Sequence, residues 1–315
     1  GFSRAELGPV GGVGQDSAGN IVVLHRGRGR VQVPGPNATK EDTVPERFWN
    51  ETGWTWGTRP LEYLMNNEAT FQASPIGEDL VVFLDPDSGE PLAGGANAWG
   101  RNQFYMPHSL TVDAEDNVWV ADLARHQVMK YQRDGTPLLE VGTLLQRGDN
   151  ETHLCMPTAV AVASGGAFYV ADGMCNHRIV VYNRAGEYQR EIIRYNRRMS
   201  YAAPHDLVLD ECAGVLLVAD RENGEVVAID TSTDKELFSW NLKEHGAVYA
   251  LARSPAGSLF ALTRPHLVNH DVAGAGPRIL LLTPHSRGRY SSKVRPGVEQ
   301  VWQPPSLVSP HSLHI

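Results

Sequence analysis

The stretch MPHSLTVDAEDNVWVADLARHQV, residues Met106 to Val128, has the pattern of two short strands joined by a polar turn. Apolar and polar residues alternate in its first part, and turn-forming residues separate that part from the run VWVAD. Alternation with period two is typical of a strand with one buried face. The first strand nevertheless opens on Pro-His, at a place where a strand facing a core normally carries apolar residues.

The same pattern recurs further along the chain. MPTAVAVASGGAFYVAD begins at Met156, and APHDLVLDECAGVLLVAD begins at Ala203. The prolines stand at positions 107, 157 and 204, so the repeats are 157 − 107 = 50 and 204 − 157 = 47 residues long. Each repeat continues with a turn, a third strand and a weaker fourth strand. Repeats of this length with four strands are typical of propeller blades.

Three more units complete the predicted fold. VGGVGQDSAGNIVVLHRG near the start and GAVYALARSPAGSLFALTR, from Gly246, are degenerate repeats. SPHSLHI, from Ser309, opens a sixth repeat that the chain end cuts short. We therefore predict an all-β fold, a six-bladed β-propeller of NHL-like repeats with an incomplete last blade. It forms a single domain over residues 1–315, with an ordered insertion in the first blade at about 28–74. No helix of useful length is expected.

Composition excludes several classes of function. Apolar residues make up 42% of the chain, which is enough for a core, and the net charge is −8 without a basic block. Nucleic acid is therefore not an expected partner, because its binding depends on phosphate neutralisation. No apolar run approaches the roughly 18 residues that span a bilayer, so no membrane segment is expected. GFSRAELG has no apolar signal region, which favours a mature or excised segment.

Sequons and cysteines favour the secretory pathway or the extracellular space. Asn-x-Thr sequons occur at Asn37, Asn50 and Asn150, each in polar, turn-rich surroundings that suit a glycan. Chance is the alternative, because such sequons are common in cytosolic chains. Three cysteines allow one disulfide and one free thiol, and their spacing does not indicate a structural zinc site.

The Pro-His pairs carry the functional hypothesis. His108, His205 and His311 open the second, fourth and sixth repeats, and alternate blades of six are about 120° apart, so the three imidazoles should converge on the propeller axis. Three neutral imidazoles and an open position are typical of a catalytic zinc site. A single histidine in a strand is more often structural. His266 and His285 also follow proline but open no repeat, and we expect them to be structural or surface groups.

Longer motifs resemble a known family. NQFYMPHSLTVD, NVWVADLARHQV, HLCMPTAVAV, VADRENG and the early GVGQDSAGNIVVLHRG are similar to peptidyl-α-hydroxyglycine α-amidating lyase, the second catalytic part of peptidylglycine α-amidating monooxygenase. The resemblance covers nearly the whole chain outside the first-blade insertion. It implies a six-bladed propeller that holds zinc through His108, His205 and His311. It also implies an enzyme that cleaves the N–Cα bond of peptidyl-α-hydroxyglycine to a peptide amide and glyoxylate, and it leaves open a linked monooxygenase domain.

The resemblance also implies catalytic and substrate-binding residues. Arg26, in the HRG motif, and Arg221, in DRENG, match the family's arginines, and a cation is suited to the substrate carboxylate. For both arginines, the alternative is a salt bridge to a neighbouring carboxylate such as Asp220 or Glu222. Met174, in DGMCN, stands where the family has a tyrosine proposed as the base. Methionine cannot transfer a proton, so either another group is the base or activity is reduced or lost.

Two further sites are implied by the resemblance. Cys155 and Cys175 match one family disulfide, which leaves Cys212 unpaired, while the family's other bridge is absent as a pair. A calcium site would use the backbone carbonyls of Val13 and Leu110. Ser312 stands where the family has a calcium-binding aspartate, and a serine is a weaker ligand for a hard cation. Leu217 and Ala228 stand where the family has the cysteines of its other bridge.

Two rival functions remain open. The first is a non-enzymatic propeller that binds partners on its top face, which the residue at 174 and the shortened last blade favour. The second is another hydrolytic propeller, such as a calcium-dependent lactonase. That class relies on Asp, Glu and Asn in its channel, whereas the channel positions identified here are histidines.

Overall fold

The structure is a computed structural model that describes residues 7–27, 68–72, 74–93, 97–194, 200–264, 276–282 and 297–302. The described residues form five four-stranded antiparallel sheets, each with its strands in sequential order. The chain divides into two compact units, Gly1–Met156 and Pro157–Ile315. Within the described segments, no helix is both long enough and apolar enough to cross a membrane.

The first unit contains two blades. The first blade has strands β1 to β4: Val10–Gln15, Ile21–His25, Val81–Leu84 and Ala98–Trp99. The second blade has strands β5 to β8: Pro107–Val112, Val118–Asp122, Gln127–Tyr131 and Pro137–Val141. A four-residue helix, α1 (Glu68–Phe71), lies in the long connection between β2 and β3, which is where the insertion was predicted.

The second unit contains three blades. The third blade has strands β9 to β12: Ala159–Val162, Phe168–Asp172, Arg178–Tyr182 and Tyr188–Ile192. The fourth has β13 to β16: Pro204–Asp210, Val215–Asp220, Glu225–Asp230 and Glu236–Asn241. The fifth has β17 to β20: Ala247–Arg253, Leu259–Arg264, Arg278–Leu282 and Val298–Trp302, preceded by the 3-10 turn Lys243–His245.

The cores lie between neighbouring sheets of the same unit, and this explains the apolar runs of the second strands. Leu216 packs in the core between the third and fourth blades, and its neighbour Leu217 packs in the core between the fourth and fifth. Successive side chains of a strand point to opposite faces, so a sheet covered on both faces needs apolar residues at every position. Strands β6, β10 and β14 are accordingly buried along their whole length.

Each described repeat forms four strands, as predicted. The predicted fold class, an all-β propeller with NHL repeats, is confirmed. The number of blades differs from the prediction, because the described residues form five blades and not six. The sixth was predicted to begin at Ser309, and residues 303–315 lie outside the described part of the chain.

Candidate active site

The two described Pro-His pairs occupy equivalent irregularities in their blades. The pairing register of β5 with β6 shifts between Pro107 and Ser109, so His108 is the extra residue. In β13 the same shift falls between Pro204 and Asp206, so His205 is the extra residue. Proline has no N–H to donate to a ladder, which suits the edge of such a bulge. Both imidazoles are buried, with 1% and 2% of their surfaces exposed.

The equivalent positions of the other blades carry different side chains. The register of β1 shifts around Gly11, and that of β17 shifts around Tyr249. In the third blade, Thr158 directly precedes β9 and follows the proline of the repeat. Across the five blades this position therefore reads Gly, His, Thr, His, Tyr. The fifth blade contributes a buried tyrosine where the second and fourth contribute histidines.

An aspartate at the end of the second strand fixes the backbone that leads into each histidine. In the second blade, Asp122 accepts hydrogen bonds from the N–H groups of Tyr105 (2.7 Å) and Met106 (2.9 Å). In the fourth, Asp220 accepts from Ala202 (2.9 Å) and Ala203 (3.1 Å). Sequence reasoning did not assign these aspartates a role. The signal that could have found them is the VAD that recurs at the end of the second strand in the second, third and fourth blades.

His205 has a defined tautomer. Its Nδ1 lies 2.7 Å from the carbonyl oxygen of Tyr249, which can only accept a hydrogen bond. The proton of the neutral ring is therefore on Nδ1, and Nε2 carries the lone pair. A backbone carbonyl in this role is the usual way in which a metal-binding histidine is oriented. His205 thus has the form that a zinc ligand requires.

Arg26 lies beside His108. It follows β2, and its Nε donates a hydrogen bond to the carbonyl of Pro107 at 2.9 Å. Burial lowers the pKa of Arg26 to about 10, and the negative charge of Asp122 opposes this effect. The guanidinium therefore stays charged at neutral pH. The structure brings together the arginine and the histidine that the sequence predicted for this site.

Arg221 lies in the same region as His205. Its Nε donates to Glu222 at 2.7 Å, so the salt bridge considered as the alternative is present. Its guanidinium carbon also lies 5.6 Å from the ring centroid of Tyr249, and that ring is 5.3 Å from the ring of His205. The salt bridge therefore does not remove Arg221 from the neighbourhood of the predicted zinc ligand.

Met174 is buried at a point where two chain segments meet closely. Its neighbour Gly173 has no room for a side chain, because a Cβ there would lie 1.8 Å from the carbonyl oxygen of Pro204. The same carbonyl accepts a hydrogen bond from the hydroxyl of Thr158 at 2.8 Å. The loop that carries Met174 is thus seated against the residue before His205. Its thioether cannot serve as a general base.

The remaining predicted metal ligands are Val13, Leu110, His311 and Ser312. Val13 and Leu110 lie on the first strands of two neighbouring blades, which approach closely, since a Cβ at Gly12 would lie 2.4 Å from the Leu110 nitrogen. His311 and Ser312 lie outside the described residues. In the described segments, no three or more His, Cys, Asp or Glu side chains are grouped so that they could hold a metal ion. The shared zinc site and the calcium site stay predictions.

The cysteine prediction is confirmed. Cys155 and Cys175 are disulfide-bonded, and Cys212 is a free, exposed cysteine. The residues at the family's other bridge, Leu217 and Ala228, are direct cross-strand partners and are fully buried. An apolar pair therefore occupies that place in the core, which leaves no unpaired thiol there.

One of the three sequons can be located. The side-chain oxygen of Asn150 accepts hydrogen bonds from the backbone N–H groups of Thr152 (2.9 Å) and His153 (3.0 Å), which forms an exposed turn. Asn37 and Asn50 lie outside the described residues. Glycosylation at these asparagines stays a prediction.

Comparisons with known proteins agree with these motifs. The NHL repeat model matches residues 104–131 and 154–182. Peptidyl-alpha-hydroxyglycine alpha-amidating lyase 2 of Drosophila melanogaster is 36% identical over 222 residues, which cover 70% of this chain and 47% of that protein. Lyase 1 of the same organism is 38% identical over 236 residues, which cover 71% of this chain and 38% of that protein.

A longer relative adds a second activity to its name. The peptidyl-glycine alpha-amidating monooxygenase of Mus musculus is 34% identical over 268 residues, which cover 81% of this chain and 24% of that protein. The chain thus spans less than half the length of these three relatives. A solved streptogramin B lyase structure matches with a TM-score of 0.53 at 12% identity, over 99% of this chain and 75% of that chain, and this likeness concerns the fold alone.

The relatives and the motifs lead to the same assignment. The matches extend over most of the chain at 34–38% identity, and the described residues include both motifs that carry the predicted arginines. The chain therefore belongs to the family of the peptidyl-α-hydroxyglycine α-amidating lyases.

Proposed function

We propose that this chain cleaves the N–Cα bond of a C-terminal α-hydroxyglycine and releases a peptide amide and glyoxylate. One observation carries the proposal most directly. The carbonyl of Tyr249 fixes the tautomer of His205, and the guanidinium of Arg221 lies over the ring of the same tyrosine. A metal-competent imidazole and a substrate-binding cation are thereby held by one residue. The names of the lyase relatives support the same reaction.

We also propose that His108, His205 and His311 hold a zinc ion, with His311 in a sixth blade. The burial of His108 and His205 and the Nδ1–H tautomer of His205 suit this metal. When bound, zinc would supply a Lewis acid that stabilises negative charge on the oxygens of the substrate. A calcium ion at the carbonyls of Val13 and Leu110 belongs to the same proposal, with Ser312 as a weak third ligand.

The residues of the chain have separate tasks in this reaction. The arginines bind the carboxylate and fix the orientation of the Cα carbon, because charge-assisted hydrogen bonds from a guanidinium are directional. The α-hydroxyl must lose a proton as the C–N bond breaks, and the departing amide nitrogen must gain one. The electron pair of the C–N bond leaves with the nitrogen, so no oxidant or reductant is needed. Met174 cannot take part in either proton transfer.

The chemistry of the substrate and the disulfide indicate a partner enzyme and a cellular location. An α-hydroxylated peptidyl-glycine has to come from a hydroxylation, and relatives named as monooxygenases support a linked or partner monooxygenase. The disulfide-bonded Cys155 and Cys175 favour the secretory pathway or the extracellular space, where such bonds persist. Glycans at the predicted sequons fit the same location.

A direct assay tests the function. Purified protein is incubated with a short peptide that ends in α-hydroxyglycine, and glyoxylate is measured before and after chelation and after zinc is added back. We expect release that chelation abolishes and zinc restores. Alanine at His108 or His205 should remove both bound zinc and activity. Full activity after exhaustive chelation would contradict the metal assignment.

A non-catalytic binding function is the second candidate. The burial of Met174 at the position of the family's tyrosine favours it, because the site then lacks that proton-transfer group. Under this alternative the protein would bind peptides ending in α-hydroxyglycine and leave them intact. The glyoxylate assay separates the two candidates.

A further inference from the structure

Tyr249 is surrounded by groups that sequence reasoning did not bring together. Its ring is 5.3 Å from the ring of His205 in an edge-on arrangement. The guanidinium carbons of Arg221 and Arg264 lie 5.6 and 4.7 Å from its centroid. All four side chains are at least nine-tenths buried. Two arginines thus meet at one aromatic ring beside a predicted zinc ligand.

The two guanidinium groups affect each other electrostatically. Burial lowers the pKa of Arg264, the charge of Arg221 lowers it further, and Tyr249 acts in the opposite direction. An arginine nevertheless keeps its charge at neutral pH. Glu222 pairs with Arg221 at 2.7 Å. An anion bound near both guanidinium groups would reduce the repulsion between them.

We propose that Arg264 is a carboxylate-binding residue additional to Arg26 and Arg221, and that it acts with Arg221 on the C-terminal carboxylate of an N-acylated glycine or α-hydroxyglycine. The inference rests on the proposed function for the identity of the natural ligand. Tyr249 contributes by holding both guanidinium groups through cation–π contacts. Each guanidinium presents a planar pair of N–H donors that matches the two oxygens of a carboxylate, so two arginines can offer more than one such pair. A lysine ammonium offers none. Arg264 thereby selects substrates with a free carboxylate over those that are already amidated.

Binding measurements with simple probes test this role without turnover. N-benzoylglycine carries the carboxylate, and N-benzoylglycine methylamide is its neutral counterpart; both are titrated into the full chain by calorimetry. We expect the wild type to prefer the carboxylate. Arg264→Gln should weaken carboxylate binding about 10–100-fold, the value of one charged hydrogen bond, and leave amide binding unchanged.

Matched variants separate this role from general damage. Arg278 lies on the neighbouring strand β19, and Arg278→Gln should keep the wild-type preference. Arg264→Lys should retain part of it, because it keeps the charge and loses the planar fork. If Arg264→Gln does not fold, the same ratio of carboxylate to amide affinity is measured for Arg264→Met, which also removes the charge. Thermal unfolding of each variant confirms that it is folded.

The outcomes distinguish the inference from the proposed function. Equal ratios of carboxylate to amide affinity in the wild type and Arg264→Gln would overturn the inference, as would a wild type without any preference. Absence of glyoxylate release by the wild type would overturn the lyase function instead. In an active enzyme, Arg264→Gln should raise KM for an α-hydroxyglycine peptide by a factor similar to the loss in carboxylate affinity, with a smaller effect on kcat.

Discussion

Single hydrogen bonds and single contacts determine what the site residues can do. The bond from His205 Nδ1 to the Tyr249 carbonyl leaves Nε2 as the nitrogen with the lone pair. The ring of Tyr249 then brings Arg221 and Arg264 to the same place. Tyr249, to which the sequence analysis assigned no chemistry, therefore contacts two residues that were predicted for the site, His205 and Arg221, and one that was not, Arg264. At Met174, by contrast, the side chain fills space and supplies no proton acceptor.

Met174 offers a test at the residue scale. If a phenol at this position is the general base of the family, Met174→Tyr should raise the rate of glyoxylate release, and general bases typically contribute about 10²–10⁴-fold. Met174→Phe is the matched control, because it adds a similar ring without the hydroxyl. Both changes enlarge a buried side chain and should cost about 1–3 kcal/mol of stability. Equal rates for the Tyr and Phe variants would show that the hydroxyl at this position is not the missing base.

His126 should make the stability of the folded protein depend on pH. It is fully buried, and its Nδ1 accepts a hydrogen bond from the N–H of Met156 at 3.1 Å, so its Nε2 carries the proton that faces Glu68. Burial lowers its pKa, which the charges of Glu68 and Asp122 oppose and that of Arg147 reinforces. The unfolded chain therefore takes up a proton first as pH falls. The contribution of His126 to stability is complete above about pH 6.5 and is lost as pH falls below that value.

The His126→Asn variant isolates this effect. Asparagine tolerates the left-handed backbone at this position, where φ is +57°, and it does not titrate. We expect the variant to be less stable at pH 7.5 and to lose less stability than the wild type between pH 7 and 5. Titration of one proton changes the free energy of unfolding by at most about 1.4 kcal/mol per pH unit. Urea unfolding at several pH values measures this slope. Identical slopes for the two proteins would exclude His126 as the responsible group.

At the scale of elements, the important contacts join the loop of one blade to the first strand of the next. The aspartates Asp122 and Asp220 hold the chain before each Pro-His pair through backbone N–H groups. Gly173, after β10, lies against the carbonyl of Pro204 at the start of β13. The histidine positions are therefore set by contacts that reach across a blade or between two blades. Local strand propensity alone does not set them.

Gly173→Ala tests the loop contact. Its Cβ would meet a backbone oxygen at 1.8 Å, so the loop or β13 has to move, and we expect a loss of about 2–3 kcal/mol in the free energy of unfolding. Gly165→Ala is the control, because nothing lies within 4 Å of the added carbon. Thermal or urea unfolding measures both. Equal stability of the two variants would mean that the close approach of the two segments has no energetic consequence.

Part of this arrangement could be predicted from sequence. Pro107 and Pro204 stand at matched points of long, regular repeats, so the blades and the places of both histidines at strand starts followed from spacing and alternation. The bulges at these histidines are seen only in the pairing register. The fifth blade has no Pro-His pair, and Tyr249 is recognised as equivalent only from the register shift in β17. Arg264 ends a different strand and meets Arg221 through long-range packing. No local pattern encodes such a contact.

The whole molecule combines a stable scaffold with a small set of polar groups. Each described blade shares a buried apolar core with a neighbour of its own unit, and the bonded pair Cys155 and Cys175 adds a covalent constraint. Against this background, the arginines at the ends of second strands and the histidines at the starts of first strands are buried charged or titratable groups. Such groups are costly to bury and are concentrated at functional sites. The proposed function assigns a specific reaction to that arrangement.

The most direct measurement of the central claim is the identity of the products. A peptide ending in α-hydroxyglycine is incubated with the zinc-loaded protein, and peptide amide and glyoxylate are quantified by mass spectrometry. The double variant Arg26→Gln with Arg221→Gln is the comparison, because it keeps both histidines and removes both cations. The account predicts that the wild type forms the two products in equal amounts and that the double variant forms far less. A folded, zinc-loaded wild type that leaves the peptide intact, or a double variant that is as fast as the wild type, would contradict it.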